Sequence, residues 1–89
     1  MSRLKDKVVW ITGASSGIGA LCAELLEQRG AIPVLTARSA DRLQEISSRL
    51  HGRHQWMTMD VTNDEEVTQT AARIQHELGP IDIVLNNAG

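Results

Sequence analysis

Tyrosine and phenylalanine are both absent from this sequence of 89 residues, whose only aromatic side chains are Trp10 and Trp56. Lysine is confined to Lys5 and Lys7, at the start of the chain. Acid–base catalysis requires a positioned side chain within hydrogen-bond reach of the reacting group. The composition therefore excludes any reaction in which a residue of this chain is a tyrosine acid.

Clusters of positive charge are missing too, since the formal net charge is -2 and the sequence pI is about 5.8. Nucleic-acid binding depends on clustered Lys and Arg that neutralise phosphates, so we expect no nucleic-acid partner. The longest early apolar run, from Val8 to Ile11, is far too short for a signal peptide or a membrane span. The single Cys22 has no internal disulfide partner. We therefore expect a protein of the reducing cytoplasm that does not bind membranes.

The histidines do not form a recognisable ligand set for a metal ion. His51 and His54 flank a turn, and His76 falls on the solvent side of a predicted helix. Structural zinc sites need four convergent ligands at characteristic spacings, and none is visible here. No metal site is predicted.

Hydrophobic residues make up 42% of the chain and charged residues 22%, as in ordinary soluble domains, and the length allows one domain over residues 1–89. Short apolar runs rich in β-branched residues predict strands that are buried on both faces. The four predicted strands span residues 7–12, 32–37, 55–59 and 81–85.

Between these runs the apolar positions repeat with the helical period. The first predicted helix starts at Gly17, the second is capped by Ser39 and ends at His51-Gly52, and the third starts with a capping box, Thr62-Asn63-Asp64-Glu65. The predicted buried stripes are Ile18, Leu21, Cys22, Leu25 and Leu26 in the first helix, Leu43, Ile46 and Leu50 in the second, and Val67, Ala71, Ile74 and Leu78 in the third.

Strands that alternate with helices are joined by right-handed crossovers into a parallel sheet. The order β-α-β-α-β-α-β thus predicts an α/β fold, one half of a doubly wound parallel sheet that stops after its fourth strand.

A glycine-rich turn, Thr12-Gly13-Ala14-Ser15-Ser16-Gly17-Ile18-Gly19, joins the first strand to the first helix. A pyrophosphate can approach the free N–H groups of a helix N-terminus only where no side chain blocks it. Gly13 permits a sharp turn, Gly17 permits close approach of the phosphate, and Gly19 permits tight packing of the helix. The spacing is a variant of the dinucleotide-binding pattern, and it lacks the Lys of a nucleotide triphosphate loop. A glycine-rich turn without a ligand is the alternative interpretation.

Arg38 follows the second strand, where an acidic residue would bind the ribose 2′-OH of NAD. A guanidinium binds a 2′-phosphate through charge-assisted forked hydrogen bonds, whereas a carboxylate repels it. NADP(H) is therefore the predicted cofactor, with NAD(H) possible. An arginine that is merely solvated at the strand end is the alternative.

Three motifs occur in order at the right junctions: the glycine-rich turn, Asp60-Val61, and Asn86-Asn87-Ala88-Gly89. Together they resemble the short-chain dehydrogenase/reductase family, in its classical group. The resemblance covers the whole chain but only about the first third of a family member. It implies an NAD(P)-binding Rossmann-like sheet with strand order 3-2-1-4, a small-molecule alcohol or carbonyl substrate, and a homo-oligomeric parent protein.

Carried over by position, the resemblance assigns the pyrophosphate to Gly13, Gly17, Ile18 and Gly19. It places Ser15 and Ser16 near the adenosine ribose. Asp60 matches the acceptor for the adenine amino group, and Val61 packs beside that ring. An Asp60 that only accepts backbone N–H groups in its own loop is the alternative.

Asn87, Ala88 and Gly89 match the segment that passes the nicotinamide-side ribose. The family also uses Asn86 and Asn87 to tie the central sheet to its neighbours. Plain turn chemistry is the alternative for this segment.

Family members react through a Ser and a Tyr-x-x-x-Lys pair that follow the Asn-Asn-Ala-Gly segment, so the catalytic part is expected beyond residue 89. The chain is thus predicted to be the cofactor-binding portion of an NADP(H)-dependent oxidoreductase, inactive on its own. A noncatalytic NADP(H)-sensing module is the alternative from another class. A methyltransferase is disfavoured because Thr12, rather than an acidic residue, precedes the first glycine.

Overall fold

Strands and helices alternate along the chain in the computed structural model, which describes residues 3–87. The elements are β1 (Val8–Thr12), α1 (Gly17–Gln28), β2 (Ile32–Ala37), α2 (Ala40–Ser47), β3 (Gln55–Thr58), α3 (Asp64–Leu78) and β4 (Ile83–Asn86). All strand pairs are parallel, and the strand order is β3-β2-β1-β4. The predicted α/β fold and its strand order are confirmed.

The register of the sheet brings the carboxyl ends of the strands to one edge. Thr12 at the end of β1 pairs with both Thr36 and Asn86, and Ala37 at the end of β2 pairs with Thr58. The loops that follow all four strands therefore meet on the same side of the molecule, which is where open α/β sheets bind ligands.

Helices cover both faces of the sheet. On one face α1 and α2 pack over Val9, Ile11 and Leu35, and on the other α3 packs over Val8, Trp10 and Val34 through Ile74. Every residue of β1 and β2 is buried, as expected for strands covered on both sides.

The buried polar groups of the central strands satisfy one another. Trp10 Nε1 donates to Thr36 Oγ1 at 2.9 Å, and the same hydroxyl donates to the carbonyl of Ile11 at 3.3 Å. Because an unpaired polar group in a core is costly, this chain of hydrogen bonds lets Thr36 lie between apolar layers.

The predicted buried stripe of α1 is wrong in its choice of face. Ile18 is 68% exposed, Leu21 54% and Leu25 47%, and only Cys22 and Leu26 pack partly against the core. The buried residues of α1 are the small ones, Gly19, Ala20 and Ala23. The helix lies so close to the underlying turn that a Cβ at Gly19 would come within 2.8 Å of the Cα and carbonyl oxygen of Ala14. Small side chains permit this approach, and the large ones point outward.

The predicted N-cap of α3 is displaced by one residue, and the Glu66 carboxylate accepts from the N–H of Asp60 at 3.4 Å instead of completing a capping box. Asn63 is the N-cap, with its Oδ1 accepting from the N–H of Glu66 at 3.1 Å. Thr62 instead donates both its hydroxyl and its N–H to Oδ1 of Asp60, at 2.6 and 2.9 Å. The carboxylate competes for the hydroxyl that would otherwise cap the helix, so the helix starts one position later.

Several other boundaries differ from the predictions by one or more residues. Helix α2 ends at Ser47 instead of reaching His51-Gly52, although its predicted core residues Leu43, Ile46 and Leu50 are all buried. Leu50 stays buried because its N–H bonds the Ser47 carbonyl in a tighter final turn. Strand β4 starts at Ile83, two residues later than predicted.

Within residues 3–87, no helix has the length and apolar character needed to cross a membrane. The same residues contain no group of three or more His, Cys, Asp or Glu side chains that could hold a metal ion.

Candidate dinucleotide site

A cavity of about 460 Å³ opens at the carboxyl edge of the sheet, between the loops that follow β1, β2 and β3. Five of the residues predicted from the sequence line it: Gly13, Ser15, Arg38, Asp60 and Val61. The other lining residues are Thr36, Ala37, Ser39, Met59 and Thr62. The structure thus brings three separated sequence segments to one concave surface.

The turn after β1 depends on a glycine conformation. Gly13 has φ of 66°, a left-handed value that residues with a Cβ rarely adopt. This conformation turns the chain off the strand, and the next N–H, that of Ala14, donates to the Thr36 carbonyl at 3.0 Å. The turn is therefore attached to β2 as well as to β1.

Backbone donors are available where the turn enters α1. Ser16 is the N-cap, and its hydroxyl accepts from the N–H of Gly19 at 3.0 Å. The N–H groups of Ser16, Gly17 and Ile18 have no protein acceptor among residues 3–87. A Cβ at Gly17 would meet nothing within 4 Å, so the space beside these donors is open. Free donors, the helix dipole and open space together suit an anionic group.

Asn87 crosses from the end of β4 to the same turn. Its Nδ2 donates to the Gly13 carbonyl at 3.2 Å and to Ser16 Oγ at 2.5 Å. Between the paired strands β1 and β4, Thr12 Oγ1 donates to Asn86 Oδ1 at 3.1 Å. Both asparagines thus tie β4 to β1 and its turn, which agrees with the structural role that the resemblance implied. The predicted site residues Ala88 and Gly89 lie outside the described residues.

The two charged side chains that line the cavity follow neighbouring strands: Arg38 comes after β2 and Asp60 after β3. The two hydrogen bonds from Thr62 hold the pKa of the Asp60 carboxyl below its usual value against the opposing effect of desolvation, and the positive charge of Arg38 lowers this pKa further. Asp60 is therefore ionised at neutral pH, with Oδ1 occupied by Thr62. Arg38 makes no salt bridge or hydrogen bond with another residue in the 3–87 range, so its guanidinium is available to a ligand.

The loop-acceptor interpretation of Asp60 is thus correct for one of its oxygens. Asp60 Oδ2 accepts no hydrogen bond from the described part of the chain. The same carboxylate can therefore order its loop through one oxygen and accept from a ligand through the other.

The predicted residues do not all face the cavity. Ser16, Gly17, Ile18, Gly19 and Asn87 lie at or beside the N-terminus of α1, outside the cavity lining. Gly19 allows the helix to pack closely rather than leaving room for a ligand, because backbone atoms of Ala14 already lie where a Cβ at Gly19 would be. The predicted set therefore divides into a cavity wall and an adjoining helix end.

Sequence reasoning missed the contact of Arg42 with the glycine-rich turn. Arg42 is exposed, and its Nη2 donates to the Ser15 carbonyl at 3.0 Å. A basic residue in the first turn of the helix that follows Arg38 was the only available signal.

A parallel sheet that has unpaired N–H groups at a helix N-terminus and a cavity beside them, at the carboxyl edge of its strands, is typical of dinucleotide-binding proteins. The family model described as short chain dehydrogenase matches residues 7–89. The chain therefore belongs to the short-chain dehydrogenase family.

Two similar proteins agree with this assignment. An uncharacterized oxidoreductase of Staphylococcus saprophyticus is 44% identical over 93 residues, which cover 100% of this chain and 40% of that protein. An uncharacterized oxidoreductase of Staphylococcus aureus strain N315 is 42% identical over 90 residues, which cover 100% of this chain and 39% of that protein. The chain thus spans about two fifths of the length of these curated relatives.

Solved structures show the same fold. A short chain dehydrogenase from Bacillus anthracis superimposes with a TM-score of 0.89 and 36% identity, over 97% of this chain and 36% of that one. L-Sorbose reductase from Gluconobacter frateurii, solved with NADPH and L-sorbose, gives a TM-score of 0.86 and 38% identity, over 97% of this chain and 34% of that one.

Proposed function

We propose that this chain is the cofactor-binding portion of an NADP(H)-dependent oxidoreductase that interconverts an alcohol and a carbonyl compound. The observation that carries the proposal is the junction of two features: unpaired N–H groups at the start of α1 and, next to them, a cavity that ends at Arg38. The first suits a pyrophosphate and the second an adenosine with a phosphorylated ribose.

The pyrophosphate lies along the turn in this proposal, beside Gly13, Gly17, Ile18 and Gly19. Ser15 and Ser16 are nearest to the adenosine ribose. Open space at Gly17 supports this placement, because any side chain there would project toward the phosphates. The unpaired donors of the turn offset the desolvation of the two negative charges.

The adenine ring occupies the deeper part of the cavity in this proposal. Asp60 accepts from its amino group through the oxygen that Thr62 leaves open, and Val61 packs beside the ring. Asn87, Ala88 and Gly89 pass the nicotinamide-side ribose.

Arg38 selects the cofactor. Its guanidinium is unpaired within residues 3–87, and it lines the cavity at the end of β2. A 2′-phosphate would pair with it directly, whereas a 2′-hydroxyl would leave it with a weaker neutral partner. We therefore propose a preference for NADP(H) over NAD(H).

When bound, the cofactor supplies hydride transfer, and the protein supplies orientation. The chain contains no tyrosine and no lysine after Lys7, so a proton donor of the Tyr-x-x-x-Lys type has to come from residues outside it. The alternative is a noncatalytic NADP(H)-sensing module. A Ser and a Tyr-x-x-x-Lys pair following residue 89 in the longer protein would decide for the enzyme, and their absence for the sensor.

ADP-ribose and its 2′-phosphate derivative test the proposal, because they carry the pyrophosphate and differ only at the group that Arg38 would bind. Calorimetric titration of the chain should show tighter binding of the 2′-phosphate. Arg38→Asp should reverse the order and change the ratio of the two affinities by about tenfold or more, from the typical strength of charge-assisted hydrogen bonds.

Arg53→Asp is the matched control, since it makes the same change in net charge at an exposed position outside the cavity. It should leave the ratio unchanged. Binding of neither ligand would reject the cofactor site altogether, and an Arg38→Asp ratio equal to that of the parent chain would reject the NADP(H) preference alone.

A further inference from the structure

Arg42 connects two parts of the molecule that are 27 residues apart in sequence. It lies in the first turn of α2, where its own N–H donates to the capping hydroxyl of Ser39 at 3.3 Å. Its guanidinium reaches the glycine-rich turn, with Nη2 donating to the Ser15 carbonyl at 3.0 Å. Nη1 pairs with Glu45 Oε2 at 3.2 Å, which fixes the direction of the fork.

We propose that Arg42 is a positioning residue for the phosphate-binding turn: it holds the peptide between Ser15 and Ser16 in the orientation that an anion requires. This inference rests on the proposed function of the turn. It assigns to Arg42 a role distinct from that of Arg38, which would touch the cofactor itself.

The geometry of the peptide bond supplies the mechanism. In a trans peptide the C=O of one residue and the N–H of the next point in opposite directions. A hydrogen bond that fixes the Ser15 carbonyl toward Arg42 therefore also fixes the Ser16 N–H away from it. Rotation of this peptide would exchange a donor for a carbonyl oxygen, and a carbonyl oxygen repels an anion.

The remainder of the turn is held by other contacts. Asn87 binds the Gly13 carbonyl, Thr36 binds the Ala14 N–H, and the Ser16 hydroxyl binds the N–H of Gly19. In the part of the chain that the structure describes, Arg42 makes the only hydrogen bond to the Ser15–Ser16 peptide. The Gly13–Ala14 peptide is held at both of its polar groups, by Asn87 and by the Thr36 carbonyl, whereas the Ser15–Ser16 peptide is held by Arg42 alone.

Titrations with ADP-ribose and its 2′-phosphate derivative distinguish this role from that of a phosphate ligand. Arg42→Ala should weaken both ligands by the same factor, about fivefold, as expected from the loss of one hydrogen bond. Arg38→Ala should weaken the 2′-phosphate derivative selectively. Arg42→Lys, which keeps a donor of the same charge, should restore most of the affinity for both ligands.

Arg49→Ala is the matched control, because Arg49 binds the same Glu45 at 3.2 Å from the same segment of chain but makes no contact with the turn. It should leave both affinities within twofold of the parent chain. In the ligand-free chain, the amide resonance of Ser16 should shift in Arg42→Ala and remain in place in Arg49→Ala.

The possible failures are distinguishable. Unchanged affinities and an unchanged Ser16 resonance in Arg42→Ala would overturn the positioning role and leave the proposed function intact. A selective loss of the 2′-phosphate derivative would overturn it as well, by making Arg42 a direct ligand. An equal loss of affinity in Arg49→Ala would overturn the positioning role too, because the effect would then come from the change in net charge. A parent chain that binds neither ligand would overturn the proposed function and this inference together.

Discussion

Helices α1 and α2 pack side by side on the same face of the sheet, yet they do so with opposite kinds of side chain. Helix α2 inserts Leu43 and Ile46, both almost fully buried, whereas α1 approaches through Gly19, Ala20 and Ala23 and exposes its large residues. The difference follows from what each helix has to do. Helix α1 must bring its N-terminus close to the turn after β1, and only small residues allow that distance.

The two helices are also linked at each end. In both places a charged side chain of one helix forms a hydrogen bond with the backbone next to the other helix. Near the cavity, Arg42 of α2 binds the carbonyl of Ser15, just before α1. At the opposite end, Glu27 of α1 accepts from the N–H groups of His51 and Gly52, in the loop after α2, at 2.9 and 2.7 Å. The pair thus behaves as one layer, in which α2 supplies apolar burial and α1 supplies the helix end with unpaired N–H groups.

The largest expected effect is that of Leu43→Ala. Removal of a fully buried leucine side chain typically lowers the free energy of unfolding by about 2–5 kcal/mol. Urea unfolding followed by circular dichroism should show this loss, or an unfolded chain without urea. Leu21→Ala on α1 is the control, and a loss as large as that of Leu43→Ala would contradict the comparison of the two helices.

Gly19→Ala should be next in size. The added Cβ would lie 2.8 Å from two backbone atoms of Ala14, so the helix has to move away from the turn. We expect a loss of about 1–3 kcal/mol in the free energy of unfolding, as for other overpacked sites. Gly17→Ala, whose Cβ would enter open space, should not lose stability, because alanine favours a helix more than glycine does.

Glu27→Gln should produce a smaller, pH-dependent effect. Partial desolvation acts to raise the pKa of the Glu27 carboxyl, but the hydrogen bonds from His51 and Gly52 and the nearby imidazoles hold it below its usual value. A lowered pKa stabilises the fold above the ordinary pKa of the side chain, and this contribution is lost as the pH falls through the lowered value. The variant should therefore be less stable by about 1 kcal/mol at pH 7.

The difference between the Glu27→Gln variant and the parent chain should disappear at low pH, once the carboxyl is protonated. Unfolding curves at pH 7 and near pH 3 measure this directly. A difference that stays constant with pH would mean that the charge of Glu27 is not what joins the two helices.

The smallest effect is expected for Leu25→Ser on the outer side of α1. Leu25 is 47% exposed, and substitutions at exposed positions usually change the free energy of unfolding by no more than about 0.5 kcal/mol. A large loss in thermal melting experiments would show that this side of α1 is covered in solution.

Much of the site could be predicted because its chemistry is local in sequence. The glycine spacing predicts the turn and Gly13 adopts the left-handed conformation that such a turn needs, while the capping hydroxyl of Ser39 is confirmed. The exposed side of α1 and the cap of α3 could not be predicted in the same way. Hydropathy favours large side chains as core, and the competition of Asp60 for Thr62 depends on a loop geometry that is fixed by tertiary contacts.

The alternation of apolar runs and helical stripes in the sequence determined the parallel sheet and the place of the glycine-rich turn, because periodicity and glycine conformation are properties of neighbouring residues. Tertiary structure alone decided which side of α1 is buried, which residue caps α3 and which arginine holds the Ser15 carbonyl. Each of these depends on a distance between segments that are far apart in the chain, and no local pattern encodes such a distance.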